Sequence, residues 1–333
     1  MGPMPKKKSL TLQRVLVLLL AYIMLAVCGG VAASVLFVPG VIGANKAAKA
    51  VIPSLKVENV DFDVTSLPQK STMYARDGST VIATFYNQNR IVVPLKKISK
   101  TMQQAVVARE DRRFWTHAGV DVQGVMRAFV QTYLVKGSQQ GGSSLTQQYV
   151  KNVLLMQAIE DDDSIAQYHA TEDTIARKIR EMLISVQMEK KYSKAEILQG
   201  YLNIAQFGNN LYGVETAAQR YFSVSAADLN VVQSATIAAI TKNPSLYDPL
   251  VEENQKESEN QRNIVLKLML QEGYITQKQY TEAVNTPLKD TLKAQDVNVG
   301  CQDTGDYAYF CDFVVHRIQN SEEFGKTRAE RNK

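Results

Sequence analysis

The longest apolar stretch of the chain runs from Val15 to Val38 and contains no charged side chain. About 20 apolar residues are enough to cross a bilayer as a helix, whereas the apolar part of a cleaved signal peptide is typically about 7–15 residues long. We therefore predict a retained transmembrane helix at 15–38 rather than a signal peptide. The residues before this stretch include four basic ones, Lys6, Lys7, Lys8 and Arg14. Because basic residues favour the cytoplasmic side, residues 1–14 are predicted to be a cytoplasmic tail. The body after the helix is then predicted to lie outside the cytoplasm, at the cell membrane.

Between this apolar stretch and the helical part of the chain, the sequence indicates first a linker and then two short strands. Residues 39–70 contain Pro39, Pro53 and Pro68, and we predict an extended extracytoplasmic linker there. Residues 72–76 and 80–86 are rich in residues that favour strands, and the intervening Asp77-Gly78 is typical of a tight turn. We expect one small β-hairpin at this place.

From about Ser99 onward, apolar residues recur at helical spacing. Two such sets are Met102, Ala105, Val106 with Arg109, and Ile175, Ile179, Met182 with Val186. Capping boxes are predicted at Ser193–Glu196 and Thr276–Gln279, and Ser225 is predicted to open a helix through Leu229, Val232 and Ile237. Strands and helices do not alternate, so the body is predicted to be mainly α rather than a Rossmann fold or a barrel.

Composition and charge narrow the class of protein. The 333 residues are 45% hydrophobic and 21% charged, which excludes a disordered tail and a fibre. The net charge is +5, but four of the 38 basic residues lie in residues 1–14, which leaves 34 against 33 acidic residues. A nearly neutral body argues against a nucleic-acid-binding protein. The three histidines are scattered and the three cysteines form no CxxC pair, which argues against a structural zinc site.

Two of the cysteines, Cys301 and Cys311, lie ten residues apart in a loop-like stretch. A disulfide between them suits a compartment outside the cytoplasm, and the alternative is a pair of free thiols. Because the body is predicted to lie outside, we favour the disulfide.

Three polar clusters carry candidate chemistry. In the first, Glu110 ends a helix with an apolar face and Asp111 follows it; a carboxylate in such a place can serve as a general base. The alternative is a charged helix end paired with Arg112 or Arg113.

The second cluster, residues 141–152, has two glycines followed by hydroxyl and amide side chains and a lysine, which suits an oxyanion site at a helix start. The alternative is a flexible loop before an ordinary helix. The third cluster, residues 177–181, places Arg177 and Glu181 on one helical face beside further basic residues. Such cations suit pyrophosphate, and the alternative is a solvated helix with an internal salt bridge.

The clusters also occur in a characteristic order. Glu110-Asp-x-x-Phe-x-x-His-x-Gly is followed by Gly-x-Ser-x-Leu-Thr-Gln-Gln-x-x-Lys-Asn, Arg-Lys-x-x-Glu and Lys194-x-x-Ile-Leu-x-x-Tyr-Leu-Asn. This set resembles the peptidoglycan glycosyltransferases of glycosyltransferase family 51, which occur alone or as the N-terminal part of class A penicillin-binding proteins. The resemblance covers roughly residues 70–260, with modest departures at Leu145 and Gln233. The chain has no Ser-x-x-Lys motif for a transpeptidase, so we expect a monofunctional enzyme or the front portion of a bifunctional one, and the cysteine stretch favours the latter.

The resemblance implies a lysozyme-like, mainly α glycosyltransferase domain at 71–260, with a membrane-facing jaw that could include residues 129–135. A helical or connector region at 261–333 would follow it. The implied reaction is the inverting polymerisation of lipid II into β-1,4-linked glycan strands with release of undecaprenyl pyrophosphate. Glu110 matches the general base, and Glu181 matches a second carboxylate that orients the donor or cations. The residues that match substrate-binding positions are Asp111, Ser143, Gln147, Gln148, Lys151, Asn152, Arg177, Lys178 and Arg180.

The implied partners are lipid II, the nascent glycan strand, the membrane and other cell-wall synthesis proteins. The motif residues do not require a metal. Some relatives are assisted by a divalent cation (Mg²⁺ or Mn²⁺) on the pyrophosphate, so catalysis with such a cation and catalysis without it both stay open. Two other functions also stay open: a lysozyme-like enzyme that cleaves peptidoglycan with one glutamate in an α-rich cleft, and a non-catalytic cell-wall scaffold.

Overall fold

A computed structural model describes residues 69–86, 88–129, 142–295, 300–301, 304–327 and 331, and side chains at 128 and 129 are not described. The predicted tail, transmembrane helix and nearly all of the linker lie outside these ranges, as does all but Phe129 of the segment assigned to a jaw. Within the described ranges, no helix combines the length and apolar character that a membrane crossing requires.

The predicted β-hairpin is confirmed. Strand β1 (Ser71–Tyr74) pairs antiparallel with β2 (Val81–Phe85). At the turn, Asp77 accepts hydrogen bonds from the backbone N–H groups of Ser79 and Thr80, each at 2.9 Å, and from Thr80 Oγ1. The Thr80 hydroxyl, ahead of the backbone donors, lowers the pKa of Asp77 to about 2. Gly78 has φ of +69°, a left-handed conformation that glycine adopts without steric cost.

The remainder is mainly helical, as predicted. A second small sheet has β3 (Asn89–Arg90) parallel to β5 (Leu211–Tyr212) and β4 (Gln206–Gly208) antiparallel to it. The helices in chain order are α1 (Lys100–Glu110), α2 (Val122–Phe129), α3 (Leu145–Glu160), α4 (Ser164–Thr171), α5 (Ile175–Lys191), α6 (Lys194–Ile204), α7 (Val214–Phe222), α8 (Val231–Ile240), α9 (Gln255–Gln271), α10 (Gln277–Asn285), α11 (Leu288–Thr291) and α12 (Ala308–Asn320).

The described residues belong to two compact units. Residues 173–180, at the beginning of α5, belong to one unit, and residues 69–172 and 181–331 belong to the other. In the smaller unit, Thr174 Oγ1 accepts a hydrogen bond from the backbone N–H of Arg177 at 3.1 Å and so caps the first turn. An Arg177 guanidinium nitrogen lies 4.0 Å from the Asp173 carboxylate.

The core of the larger unit is built on α8, which packs against α1 and α9. All residues of α8 from Ser234 to Ile240 are buried, and Met102, Ala105 and Val106 of α1 are fully buried as their spacing predicted. A second set of contacts joins α3 to α4 and α6. These two groups of helices hold the end of α1 and the beginning of α3, where several of the predicted site residues lie, together with the end of α8.

Three helix starts show which local signals were correct. The capping boxes at Ser193 and Thr276 are confirmed. The helix predicted from Ser225 is wrong, because Ser225 caps only a short 3₁₀ turn, Ala226–Asp228. The long helix α8 begins instead at Val231, where Asn230 forms a complete capping box with Gln233 and satisfies more of the free N–H groups.

Helix α5 exists as predicted, but the apolar residues whose spacing indicated it are not its buried residues. Ile175 is 77% exposed, and Met182 and Val186 are only half-buried. The buried residues of the larger unit's part of α5 are Glu181, Ile184, Ser185 and Met188. The inward stripe therefore contains polar residues, which periodicity of apolar residues alone cannot reveal.

The structure joins Cys301 and Cys311 by a disulfide, with the two Cα atoms 5.5 Å apart. Cys311 lies in the first turn of α12 and packs against Ile82 and Ala83 of β2. The backbone N–H of Gly300 also donates to the carbonyl oxygen of Thr84 at 2.9 Å. The loop and helix of the C-terminal region are thereby fixed to the β-hairpin.

Candidate active site

Glu110 is the last residue of α1, and its carboxylate is held by side chains from two other helices. Ser99 caps the start of α1, and the chain leaves the helix at Asp111, whose φ of −157° is not helical. Gln148 Nε2 of α3 donates to Glu110 Oε2 at 2.7 Å. Thr241 Oγ1, at the end of α8, donates to Glu110 Oε1 at 2.8 Å. Each carboxylate oxygen therefore has one donor within hydrogen-bond distance and keeps further lone-pair capacity for a substrate proton.

A buried tyrosine fixes the orientation of the Gln148 amide. Tyr201 of α6 is 2% exposed, and its hydroxyl donates to Gln148 Oε1 at 3.2 Å. Burial, followed by the negative charge of Glu110, raises the pKa of Tyr201 well above its ordinary value. The neutral hydroxyl remains a donor, so the Gln148 oxygen faces Tyr201 and its NH₂ group faces Glu110.

Asp111 joins the end of α1 to the start of α3. It is buried, and its Oδ2 accepts a hydrogen bond from the backbone N–H of Leu145 at 2.9 Å. The same oxygen lies 2.8 Å from Nε2 of His117. The conformation after α1 is thus tied to the helix that carries Gln148.

A second buried carboxylate, Glu189 of α5, lies beyond His117. Its oxygens accept hydrogen bonds from Thr146 Oγ1 at 2.5 Å and from Lys194 Nζ at 2.8 Å. His117 Nδ1 lies 4.0 Å from Glu189 and makes no hydrogen bond. Lys194 also lies over the ring of Phe114, 4.6 Å from its centroid. This Glu189 network connects α3, α5 and α6 with the turn after Glu110.

The start of α3 is a capping box formed by Ser144 and Gln147. Ser144 Oγ accepts from the backbone N–H of Gln147 at 3.2 Å, and Gln147 Oε1 accepts from the backbone N–H of Ser144 at 2.9 Å. Ser144 Oγ also donates to the Gly119 carbonyl oxygen at 2.6 Å. Gly119 has φ of +88°, and a Cβ there would lie 2.6 Å from the Ser185 carbonyl oxygen, so only glycine fits. Gln147 is 1% exposed, and its Nε2 makes no hydrogen bond.

The other predicted site residues are distributed as follows. Ser143 directly precedes the cap, and Lys151 and Asn152 lie further along α3, all of them half-buried. Glu181 of α5 is 2% exposed, and its carbonyl oxygen accepts from Ser185 Oγ at 2.6 Å. Arg177, Lys178 and Arg180 belong to the smaller unit. The structure thus brings Glu110, Asp111 and Gln148 into one connected set and places Gln147 at the helix cap beside it.

Sequence reasoning missed Thr241 and Glu189. Thr241 lies 131 residues from Glu110 and follows an apolar helix, so no local signal marks it. Glu189 stands in a charged helix end, Met188-Glu-Lys-Lys191, which is typical of solvated surface. Among the described residues, no group of three or more His, Cys, Asp and Glu side chains is placed to hold a metal ion.

Comparisons with known proteins agree with the motif order. The family model described as Transglycosylase matches residues 78–270, more than half of the chain. Penicillin-binding protein 4 of Bacillus subtilis (strain 168) is 38% identical over 272 residues, which is 81% of this chain and 40% of that protein. Penicillin-binding protein 1A of Aquifex aeolicus (strain VF5) is 39% identical over 229 residues, 69% of this chain and 29% of that protein.

A crystal structure of penicillin-binding protein 1A from Haemophilus influenzae also matches, with a TM-score of 0.43 and 24% identity. The match covers 79% of this chain and 26% of the penicillin-binding protein chain. This chain thus spans less than half the length of these relatives. Because the family model covers most of the described body, the chain belongs to the transglycosylase family, as its motifs predicted.

Proposed function

We propose that this chain is a peptidoglycan glycosyltransferase that polymerises lipid II into β-1,4-linked glycan strands and releases undecaprenyl pyrophosphate. The observation that carries the proposal is the Glu110 carboxylate, held by Gln148 and Thr241 inside the region that the transglycosylase model matches. A carboxylate that is oriented by two donors but keeps free lone pairs can accept a proton from a sugar hydroxyl.

The reaction needs one proton acceptor and one stabilised leaving group. Glu110 takes the proton from the acceptor hydroxyl as its oxygen forms the new bond to the anomeric carbon of the donor. The bond from that carbon to the pyrophosphate oxygen breaks, and its electron pair leaves with the lipid pyrophosphate. One displacement converts the α-linked donor into a β-linked product, so no covalent enzyme intermediate is needed.

The departing pyrophosphate carries negative charge that basic residues can stabilise. We assign this role to Lys151 of α3 and to Arg177, Lys178 and Arg180, with Glu181 orienting these cations or the donor. Ser143, Gln147, Asn152 and Asp111 are assigned to holding the substrate or its surroundings. No cofactor is required by this chemistry, and a divalent cation on the pyrophosphate would supply further charge compensation.

We extend the proposal to the arrangement of the chain: cytoplasmic tail 1–14, transmembrane helix 15–38, linker 39–70, glycosyltransferase domain 71–260 and connector region 261–333. An anchor suits the reaction because the substrate and the growing polymer both carry lipid. Protease added to intact, wall-stripped cells should digest the body. Full protection of the body would contradict this orientation.

The product distinguishes this function from its two rivals. Purified protein given lipid II should form longer glycan strands and free undecaprenyl pyrophosphate, and it should not shorten finished peptidoglycan. Fragments released from finished peptidoglycan would support the cleaving enzyme. A folded protein that leaves both materials unchanged would support the scaffold.

A further inference from the structure

Tyr201 of α6 is connected to the proposed base through one side chain, the amide of Gln148. Its hydroxyl donates to Gln148 Oε1 at 3.2 Å, and Gln148 Nε2 donates to Glu110 Oε2 at 2.7 Å. Within the described ranges, Gln148 Oε1 is the one hydrogen-bond acceptor of the Tyr201 hydroxyl. The three residues Tyr201, Gln148 and Glu110 thus form a chain of hydrogen bonds across α6, α3 and α1, which we term the Tyr201 relay.

The relay depends on a close approach of α6 to α3. Gly200, the residue before Tyr201, is buried, and a Cβ at that position would overlap the ring of Tyr149. Tyr149 follows Gln148 in α3 and is itself 2% exposed, so its ring has little room to move away. The missing side chain at Gly200 therefore lets the Tyr201 hydroxyl reach the Gln148 amide.

The amide of Gln148 has two possible orientations, and the protonation state of Glu110 distinguishes them. An ionised carboxylate only accepts hydrogen bonds, so the amide must present its NH₂ group to it. A protonated carboxyl group also donates, and the oxygen of a flipped amide could accept that proton. The flipped amide would turn its NH₂ group to Tyr201 and leave the buried hydroxyl proton without an acceptor, which is costly.

We propose that Tyr201 is a positioning residue that holds Gln148 as a donor and thereby keeps Glu110 in its proton-accepting form. The inference rests on the proposed function for the role of Glu110 as the base. Tyr201 acts through the amide alone, because its hydroxyl penalises the orientation that would stabilise protonated Glu110. A hydrogen bond to the charged form of a carboxyl group favours that form, and one to the neutral form favours the neutral form.

The charged groups around this set are the same in the wild type and in the variants below, so a difference between them reports the relay. They lie at the end of α1 and in the turn after it, on α3, at the ends of α5 and α8, at the start of α6, and on and just after α9: Arg109, Asp111, Arg112, Arg113, His117, Lys151, Glu189, Lys194, Lys242, Glu257 and Glu272.

Tyr201→Phe tests the relay because it keeps the ring and removes only the hydroxyl. The full chain is labelled with ¹³C at the glutamate carboxyl groups, and the Glu110 signal is identified by its absence from Glu110→Gln. In Tyr201→Phe the Glu110 carboxyl should bind its proton about two- to tenfold more tightly, the effect of one neutral hydrogen bond. Its titration should therefore move to higher pH.

Tyr221→Phe is the matched control. Tyr221 is 1% exposed, and its hydroxyl donates to the Phe207 carbonyl oxygen at 2.7 Å, so the substitution removes the same buried group elsewhere. The Glu110 titration should stay at its wild-type position in this variant. Thermal midpoints show that both variants are folded, and equal shifts in both would assign the effect to general loosening of the fold and overturn the relay.

A second background tests whether the hydroxyl acts through the amide. Gln148→Met removes the amide and leaves the Tyr201 hydroxyl buried without its acceptor. Adding Tyr201→Phe to Gln148→Met should raise the thermal midpoint and leave the Glu110 titration unchanged, because the unpaired hydroxyl is gone and no amide is left to turn. A titration shift as large as in the wild-type background would show that the hydroxyl acts by another route, and would overturn the relay.

Turnover separates the relay from the proposed function. With lipid II, Tyr201→Phe should lose activity at a higher pH than the wild type, with KM near the wild-type value. Unchanged titration of Glu110 in Tyr201→Phe, in a protein that polymerises lipid II, would overturn the relay alone. A shifted titration in a chain whose wild type does not polymerise lipid II would support the relay and contradict the proposed activity.

Discussion

The carboxylate of Glu110 is held by two side chains from distant parts of the sequence, Gln148 and Thr241. The motif order pointed to Glu110 and Gln148 together. Thr241 could be found only from the fold, because its hydroxyl reaches Glu110 through the packing of α8 against α1. The Thr241 hydroxyl also lies 2.8 Å from the Ala238 carbonyl oxygen, so its one proton is shared between two acceptors.

Replacing Thr241 by valine should slow polymerisation without unfolding the protein. A hydrogen bond to a charged group is worth about 1.5–3 kcal/mol, so turnover should fall about 10- to 100-fold. Thr241→Ser keeps the hydroxyl and should retain most of the activity. Turnover of lipid II and the thermal midpoint are measured together, and a Thr241→Val enzyme as active as the wild type would show that this donor does not orient the base.

The elements around the site are joined by the Glu189 network, in which Glu189 and Lys194 are 6% and 21% exposed. Removing one member of a buried ion pair leaves an uncompensated charge and typically costs about 3–5 kcal/mol. Lys194→Met should therefore lower the free energy of unfolding strongly, and adding Glu189→Gln should recover part of the loss.

The exposed pair Lys278–Glu282 provides a matched control on α10. Its nitrogen and oxygen lie 3.9 Å apart, and its side chains are 85% and 65% exposed. Lys278→Met should change the free energy of unfolding by no more than about 1 kcal/mol. Denaturant unfolding that shows equal losses for Lys194→Met and Lys278→Met would contradict the role given to the network.

The disulfide is an element-scale link between α12 and the β-hairpin. Protein from an oxidising compartment should contain the Cys301–Cys311 bond, and closing so short a loop should stabilise the fold by about 2–3 kcal/mol. Mass spectrometry of a non-reduced digest tests the bond, and alkylation of both thiols would refute it. The double variant Cys301→Ser, Cys311→Ala should lower the free energy of unfolding by the same amount.

Local signals in the sequence predicted most of the elements but not how they face one another. Capping boxes at Ser193 and Thr276 and the Asp77-Gly78 turn depend on a few adjacent residues, and all were correct. The apolar spacing in α5 predicted the helix but not its buried face, because polar residues such as Ser185 point inward. The Ser185 hydroxyl is satisfied by the Glu181 carbonyl oxygen one turn earlier in the same helix. The helix predicted from Ser225 was wrong because Asn230, five residues later, forms a complete capping box.

At the scale of the whole molecule, family membership follows from the order of motifs along the chain. Glu110, Gln148 and Glu181 lie on three different helices, α1, α3 and α5. The order of their motifs therefore reflects the whole fold rather than any one element. The predicted anchor at 15–38 and the linker remain predictions of the sequence. The Glu189 network and the Tyr201–Gln148 contact show how the surrounding helices hold the ends of α1 and α3 in place.

The central claim is that Glu110 is the base of a lipid II polymerase, and the variant Glu110→Gln tests it most directly. It keeps the side-chain shape but removes proton acceptance, so turnover should fall about 10²–10⁴-fold while lipid II binding and the thermal midpoint stay near those of the wild type. Lys151→Ala, measured in parallel, should weaken both binding and turnover, because the pyrophosphate is charged before and during departure. A folded Glu110→Gln protein that polymerises lipid II near the wild-type rate would contradict the account.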